Sequence, residues 1–405
     1  MNVAFLTREY PPDTAWGGIA TMYHTLTHAL SRRGHEVHVI CQAVDAPGDY
    51  MDEGVFIHRV GTRPARYSAR ARVNYSLSAW LKLRKIVEQY NVEIVEASYW
   101  GAEALLYCFA RRTPLVVRVD VSAADVLRTK NYSGIRELLS LKVLSFLEDL
   151  SLKRADRIIA ISKGLHTRVI DELHIDPGKV DIIHHAVDTL RYRHGVSDVR
   201  ASLGINPGDR LVLIVGRQEA RKGVRILCQA IPKILDSIPS AKFLLVGQDT
   251  NTAPDHGSVR SYLVEEAKSM GVAGSIIFLD FMPPDELIPL YSACDVFVLP
   301  SFQEGASMAV MEAMACGKPV VLTSTGLAPE LDLDGTNGIM ISPGSVEELA
   351  KAVIKLLSLS TEDRVAAAKR NREIIETEYS VAEWVNRVIE VYEGALKAGV
   401  GRGNG

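Results

Sequence analysis

Residues 299–321, LPSFQEGASMAVMEAMACGKPVV, constrain the fold more than any other part of this chain. From Gly305 to Gly317 every residue is small or apolar except Glu312, which is flanked by Met308, Met311, Ala315 and Cys316. On a helix Met308, Glu312 and Ala315 fall at i, i+4 and i+7, so the carboxylate shares a stripe with apolar side chains. Burying an unpaired carboxylate costs on the order of several kcal/mol, so it either neutralises or meets a fixed donor such as a hydroxyl. Glu304 lies just before the expected helix. At about 1.5 Å per residue the two carboxylates stand roughly 12 Å apart, too far for an acid/base dyad and suited to opposite ends of an elongated ligand. Between them Gly305, Ala306, Ser307 and Met308 offer N–H groups at a helix N-terminus, where an anion is favoured. The pattern points to a ligand with hydroxyls at both ends and phosphate between, a nucleotide sugar.

The rest of the chain reads as α/β. Apolar runs at 2–6, 36–39, 55–59, 92–95, 115–119 and 157–161 alternate with helical stretches, the signal of a doubly wound parallel sheet. A second series begins at 211–216 and continues at 243–247 and 276–279. Between the two series the apolar rhythm lapses over residues 189–209, which marks an interdomain connection with a short helix capped by Ser197. The expected organisation is therefore an N-terminal domain over 1–188, a linker over 189–209, a nucleotide-sugar domain over 210–378, a last helix over 379–398 and a disordered tail over 399–405. No GxGxxG follows the first strand and no GxxxxGK[ST] occurs, which disfavours dinucleotide and Walker-type sites.

With 405 residues, 47% hydrophobic content and a net charge of −3, the chain suits two globular domains and shows no bias toward nucleic acid. Five scattered cysteines without a CxxC pair suggest neither a disulfide framework nor a zinc site and fit a reducing cytosol. The opening MNVAFL lacks the character of a secretory signal, and no apolar run is long enough to span a bilayer. A cytoplasmic protein, peripheral at the inner membrane face, is expected. From Gly54 to Val87 there is no acidic residue, while Arg59, Arg63, Arg66, Arg70, Arg72, Lys82, Arg84 and Lys85 mix with Tyr67, Tyr75 and Trp80. This basic field over 59–85 suits an anionic membrane or an acceptor bearing phosphate or carboxylate; the alternative is a solvated loop and helix face. Asp332-Leu333-Asp334 resembles a metal-binding DxD, but the adjoining Gly335 and Asn337-Gly338 make it a turn, so no metal is assigned.

Two further loops carry candidate ligands. Gly17-Gly18 precedes a helix and lets a ligand approach the backbone. Gly216, Arg217 and Lys222 occupy GRQEARKG after an apolar strand, where two cations five residues apart can grip adjacent phosphates.

The EGASMAVMEAMACGKPVV run resembles the signature of the retaining glycosyltransferases of family 4, in which two Glu separated by seven residues precede an EAMACGxPVV-like segment. Residues 8–18 resemble that family's first loop, 147–164 its Glu, Ala-Asp and Ser run, and 216–223 its Gly-Arg and Lys-Gly loop. The resemblance implies a GT-B architecture, two facing Rossmann-like doubly wound parallel-sheet domains. It implies transfer of a sugar, with retention, from a nucleotide diphosphate sugar to a hydroxyl of a carbohydrate or lipid-linked acceptor, without cofactor or metal. Arg217 and Lys222 would stabilise the leaving diphosphate, and Phe281-Met282 would meet the nucleobase. Where the family places a His after the strand 115–119 this chain has Asp120, and where the family reads Asn-Gly-Val-Asp it has His185-Ala186-Val187-Asp188. Asp120 is expected to accept from a sugar hydroxyl. A GT-B epimerase or phosphorylase, or a non-catalytic nucleotide-sugar-binding protein, are the alternatives.

Overall fold

The computed structural model describes residues 1–12, 17–44, 46–61, 69–128, 134–195, 198–254 and 257–400. The chain forms two compact units, Met1–His185 with Val381–Gly405, and Ala186–Ser380. The tail 401–405 and Ser197 lie outside the described residues; the short helix Val199–Ser202 is preceded by Asp198 at its N-cap.

The first unit holds eight strands: β1 (Asn2–Leu6), β2 (Glu36–Gln42), β3 (Gly48–Asp52), β4 (Val55–Val60), β5 (Ile94–Ser98), β6 (Leu115–Val119), β7 (Arg157–Ala160) and β8 (Val180–Ile182). Their order is β3-β4-β2-β1-β5-β6-β7-β8, and every pair is parallel except β3 with β4. The central strands are buried on both faces, which is why they read as apolar runs rather than as alternation. β3, GDYMD, is mostly exposed and carries no such run, so the sequence gives no hint of it.

The second unit holds six strands, β9 (Arg210–Val215), β10 (Ala241–Val246), β11 (Ile276–Leu279), β12 (Val296–Leu299), β13 (Val320–Thr323) and β14 (Gly338–Ile341). All pair in parallel in the order β11-β10-β9-β12-β13-β14. Strand order thus reverses between β9 and β12, and the loops after those two strands are where such a sheet opens a crevice for a ligand. Residues 189–209, expected as the interdomain connection, group with this unit, and the Arg372 guanidinium donates to the carbonyls of Thr189, Tyr192 and Ala315.

The last helix, Val381–Val400, belongs to the first unit and buries Trp384, Val385, Val388, Tyr392 and Ala395. Its Tyr392 hydroxyl donates to Glu96 on β5 at 2.6 Å, and Arg118 on β6 donates twice to the same carboxylate at 2.7 and 3.1 Å. All three side chains are fully buried, and Trp384 covers the guanidinium. Burial opposes the Arg118 charge, but Glu96 outweighs it and pushes the guanidinium pKa up. Removing one partner of a buried pair strands the other, so Glu96→Ala should destabilise the first unit by about 3–5 kcal/mol. Tyr392→Phe, which deletes one hydrogen bond, should cost about 1 kcal/mol. Denaturant unfolding followed for the first unit checks both, and near-equal small losses would contradict this ranking.

Candidate active site

In the second unit the loop after β9 and the loop after β12 are tied together by three hydrogen bonds, and a fourth braces the second loop. Phe302 N–H donates to the Arg221 carbonyl at 2.9 Å, and the Arg221 guanidinium donates to the Gln303 carbonyl at 2.6 Å. Lys222 Nζ donates to Glu304 Oε1 at 2.7 Å, and Ser301 Oγ donates to the same oxygen at 2.7 Å. Gly223 (φ 67°) closes the short 3-10 turn Ala220–Lys222; a Cβ there would lie 1.9 Å from the Pro300 carbonyl oxygen, so only glycine admits this approach. Gly326 plays the same part on the other side, where a Cβ would lie 2.1 Å from the Gly305 carbonyl oxygen. Burial raises the Glu304 pKa, but Lys222, Arg221 and the Ser301 hydroxyl overcome it and hold the carboxyl below its ordinary 4.5.

Around this junction lie two adjoining depressions. One is lined by Gly216, Arg217, Gln218 and Lys222, the other by Glu304, Ser307, Thr323 and Thr325. Arg217 is half exposed, with Glu219 3.6 Å away. Gly216 (φ 150°) takes a conformation that side chains rarely adopt. Gly305, Ala306 and Ser307 precede the helix Met308–Ala315, whose N-cap Ser307 makes no side-chain cap. The segment 304–307 is irregular, so the separation inferred from helical rise does not apply to Glu304 and Glu312. Phe281 follows β11 with its ring exposed, and Met282 beside it is half-buried.

Glu312 is buried, as its stripe requires, and its donor is Tyr291, whose hydroxyl reaches Oε2 at 2.7 Å. The Tyr192 hydroxyl bears on the same carboxylate. Burial pushes the Glu312 pKa up, and the two phenols and Arg191 only partly offset it. Sequence reasoning asks for a hydroxyl donor at Glu312 but cannot name Tyr291, which sits on a different helix, Pro284–Ala293.

In the first unit Gly17 is the N-cap of the helix Gly18–Arg32, which begins at Gly18 itself. A Cβ on Gly18 would meet nothing within 4 Å, so neither packing nor conformation in this unit demands glycine there. Asp120 follows β6, and its Oδ1 lies 3.1 Å from His185 Nε2. Both side chains are buried, and Asp120 Oδ1 and Oδ2 and His185 Nδ1 have no hydrogen-bond partner among the described residues. The Tyr23 hydroxyl, likewise unpartnered, is close enough to feel the Asp120 charge. The two positions at which this chain departs from the pattern of the family it resembles are therefore each other's neighbours. The loop carrying Asp120 is held by Glu148, which accepts from Gly101 N–H and Ala123 N–H. Asp156 accepts from Leu115 N–H, and Ser162 caps the helix Lys163–Asp171. The Glu, Ala-Asp and Ser of the 147–164 run thus position strands and loops.

The basic field divides. Arg59 is internal, bonded to the Tyr50 hydroxyl and the Gln42 and Pro11 carbonyls; Lys82 pairs with Asp49, and Arg84 stacks on Trp80. Arg63, Arg66 and Tyr67 lie outside the described residues, as do the side chains of Arg70 and Arg72. The exposed apolar surface of this unit includes Ile135, Leu139, Val143 and Phe146, spaced along the helix Ile135–Lys153. No helix among the described residues is long and apolar enough to cross a membrane. Asp332 and Asp334 both pair with Arg370, and Asp334 accepts from Thr336 and Asn337 N–H, as the turn reading requires.

The two glutamates titrate in opposite senses. Glu304 has a depressed folded pKa, so its contribution is present above 4.5 and is lost as pH falls through the folded value. Glu312 has a raised one, so its contribution is present below 4.5 and is lost as pH rises through the folded value. Glu312→Gln keeps an acceptor for Tyr291 without the charge. Its stability relative to the native protein should be unchanged at pH 4, increase above 4.5 and then level off, as measured by unfolding at a series of pH values.

Comparison with known proteins agrees with this geometry. Residues 196–374 match the family described as glycosyl transferases group 1, and residues 16–191 match glycosyltransferase family 4. An uncharacterised glycosyltransferase of Methanocaldococcus jannaschii is 29% identical, covering 88% of this chain and 89% of the relative. A D-inositol 3-phosphate glycosyltransferase of Segniliparus rotundus is 26% identical over 95% of this chain and 86% of the relative. Among solved structures, sucrose-phosphate synthase from Thermosynechococcus elongatus superposes with a TM-score of 0.82 at 19% identity, covering 98% of this chain and 99% of that one. An Anabaena protein solved with UDP and glucose does so at 0.74 and 21%, covering 97% and 100%. The laced loops at a strand-order reversal, the paired glutamates and these likenesses lead to one assignment: the chain belongs to the family-4 glycosyltransferases and has the GT-B fold.

Proposed function

We propose that this protein transfers a sugar, with retention of configuration, from a nucleoside diphosphate sugar to an acceptor hydroxyl in the synthesis of a surface polysaccharide or glycoconjugate. The observation that carries this reading is the cation pair on the β9 loop. Arg217 is half exposed, and Lys222 is held by a carboxylate, so together they present fixed positive charge at the reversal of strand order. The N–H groups preceding the helix Met308–Ala315 add to it. Charge developing on a leaving diphosphate is stabilised there without reorganisation, and these groups take the place of a divalent ion. In this reading Glu312 accepts from the ribose hydroxyls, Glu304 from the donor sugar, and the backbone at Phe281-Met282 meets the base. The solved likeness that holds UDP and glucose supports such a donor.

Retention by departure and attack on one face fits the carboxylates. Glu304 is engaged by Lys222 and Ser301 and Glu312 by Tyr291, so each is held as an acceptor or counter-charge rather than as a free nucleophile, while Asp120 lies beside His185. The unpartnered atoms of Asp120 and His185 are the ones that a sugar or acceptor hydroxyl would satisfy. The rivals, an epimerase or phosphorylase and a non-catalytic binder, have no observation in their favour here.

Charge-assisted contacts contribute about 1.5–3 kcal/mol each, so Lys222→Ala should lower kcat/KM by roughly 10- to 100-fold. The fold should persist, since Glu304 keeps Ser301. Unchanged kcat/KM, or an absolute dependence on added Mg²⁺ or Mn²⁺, contradicts the reading. Asp120→His puts two imidazoles face to face and should reduce turnover more than nucleoside diphosphate affinity. Adding His185→Asn, which restores the family's pair, should recover part of that loss; no recovery would separate the two positions.

A further inference from the structure

Three side chains of the first unit that the proposed function does not use converge. His24 and His28 lie one turn apart on the helix Gly18–Arg32, and Asp52 ends β3. One ligating atom from each lies within 4.8 Å of the others. His28 Nε2 is 3.3 Å and His24 Nε2 3.9 Å from the same oxygen, Asp52 Oδ2. A tetrahedral zinc ion with bonds near 2.0–2.1 Å has ligand-to-ligand edges of roughly 3.3 Å, so the three atoms are close to a ligand face without an ion.

The contacts of His28 leave its Nε2 facing the Asp52 carboxylate. His28 Nδ1 lies 2.8 Å from the His24 carbonyl oxygen, which can only accept, so Nδ1 carries the proton. In the neutral ring Nε2 then presents a lone pair toward a carboxylate oxygen, and this buried atom has no hydrogen-bond partner among the described residues. Lone pair facing anion is repulsive unless a cation or a proton lies between. The two rings stack with centroids 4.0 Å apart, which brings both imidazoles to the same side of the carboxylate. One divalent ion serves both nitrogens and the carboxylate at once. The other close histidine pair differs. His38 and His58 bond to each other, to Glu36 and to Asp49, so every ring nitrogen has a partner.

We infer that His24, His28 and Asp52 form a zinc site that fastens the first helix to the edge strand β3. Two imidazoles and one carboxylate suit Zn²⁺, with a fourth position for water, whereas Mg²⁺ and Ca²⁺ prefer oxygen ligands. The carbonyl that fixes the His28 tautomer is an outer contact of the kind metal-bound histidines use. The helix so fastened is the one that starts at Gly18, so the ion would set the position of that end without entering the chemistry.

The full chain, stripped with chelator and dialysed, is titrated with Zn²⁺ by calorimetry, and bound metal is counted by mass spectrometry. One Zn²⁺ per chain is expected, together with a higher thermal midpoint and no comparable uptake of Mg²⁺ or Ca²⁺. Asp52→Asn, at a partly exposed position, should weaken zinc at least tenfold while leaving the midpoint of the metal-free protein unchanged. The double variant His24→Asn/Asp52→Asn should bind no zinc at this site. Co²⁺ in place of zinc should give the visible absorption of a four-coordinate site, absent in the double variant. Failure of the native chain to take up zinc, or equal uptake by the double variant, overturns the proposal. Neither outcome bears on Arg217, Lys222, Glu304 and Glu312, which lie in the second unit.

Discussion

The contact on which the second unit's site depends is the pair between Lys222 and Glu304. It joins the loop after β9 to the loop after β12, the two strands between which strand order reverses, and it does so with charges that are each largely shielded from water. An ammonium held by one carboxylate is oriented but not neutralised toward a multiply charged anion, and an isolated buried lysine would tend to lose its proton instead. The supporting contacts are mostly backbone: the Arg221 carbonyl, the Pro300 carbonyl against Gly223 and the Gly305 carbonyl against Gly326. Side chains supply the charge, while close backbone packing supplies the rigidity that electrostatic stabilisation of a transition state needs.

The parts of this arrangement that were legible in the sequence are those set by short-range pattern. Apolar runs located most strands to within a residue or two, because strands buried on both faces have nowhere to put polar side chains. β5 was displaced, with 92–95 expected and Ile94–Ser98 found, since a charged Glu96 reads as a strand end until its partner Arg118 is known. β3 was invisible because an exposed edge strand held by backbone pairing has no hydrophobic period. The loop cations and the two glutamates were legible through their spacing. Their partners were not: Tyr291 for Glu312 and His185 for Asp120 are brought near by tertiary structure alone. The spacing of His24 and His28 at i and i+4 was open to reading, but Asp52 was not, and two histidines on a helix are seldom enough to suggest an ion.

The two sheets share a plan and differ in what they keep at their strand ends. At the β9 and β12 ends the polar groups are paired, and charge is offered outward through Arg217. Past β6 both Asp120 oxygens and His185 Nδ1 are buried and lack hydrogen bonds among the described residues, a costly state for polar atoms unless something satisfies them. The rigid frame around them, in which Glu148 holds two loop amides and Arg168 bridges Asp125 and Ser122, keeps that state from relaxing. Such a frame is how a fold can retain unsatisfied groups until a ligand arrives.

The first unit is built from two separate lengths of chain, Met1–His185 and Val381–Gly405, whereas the second is one continuous length. A ribosome delivers them in an order that does not match the architecture. The second unit has its whole sequence available before the last helix emerges, while Glu96 and Arg118 have been waiting without Tyr392 and Trp384 since early in synthesis. Each nascent chain therefore spends the interval with a charged pair of its first sheet uncovered. The first unit can finish only once Val381–Val400 has emerged, which makes that helix the element that decides when the unit becomes whole.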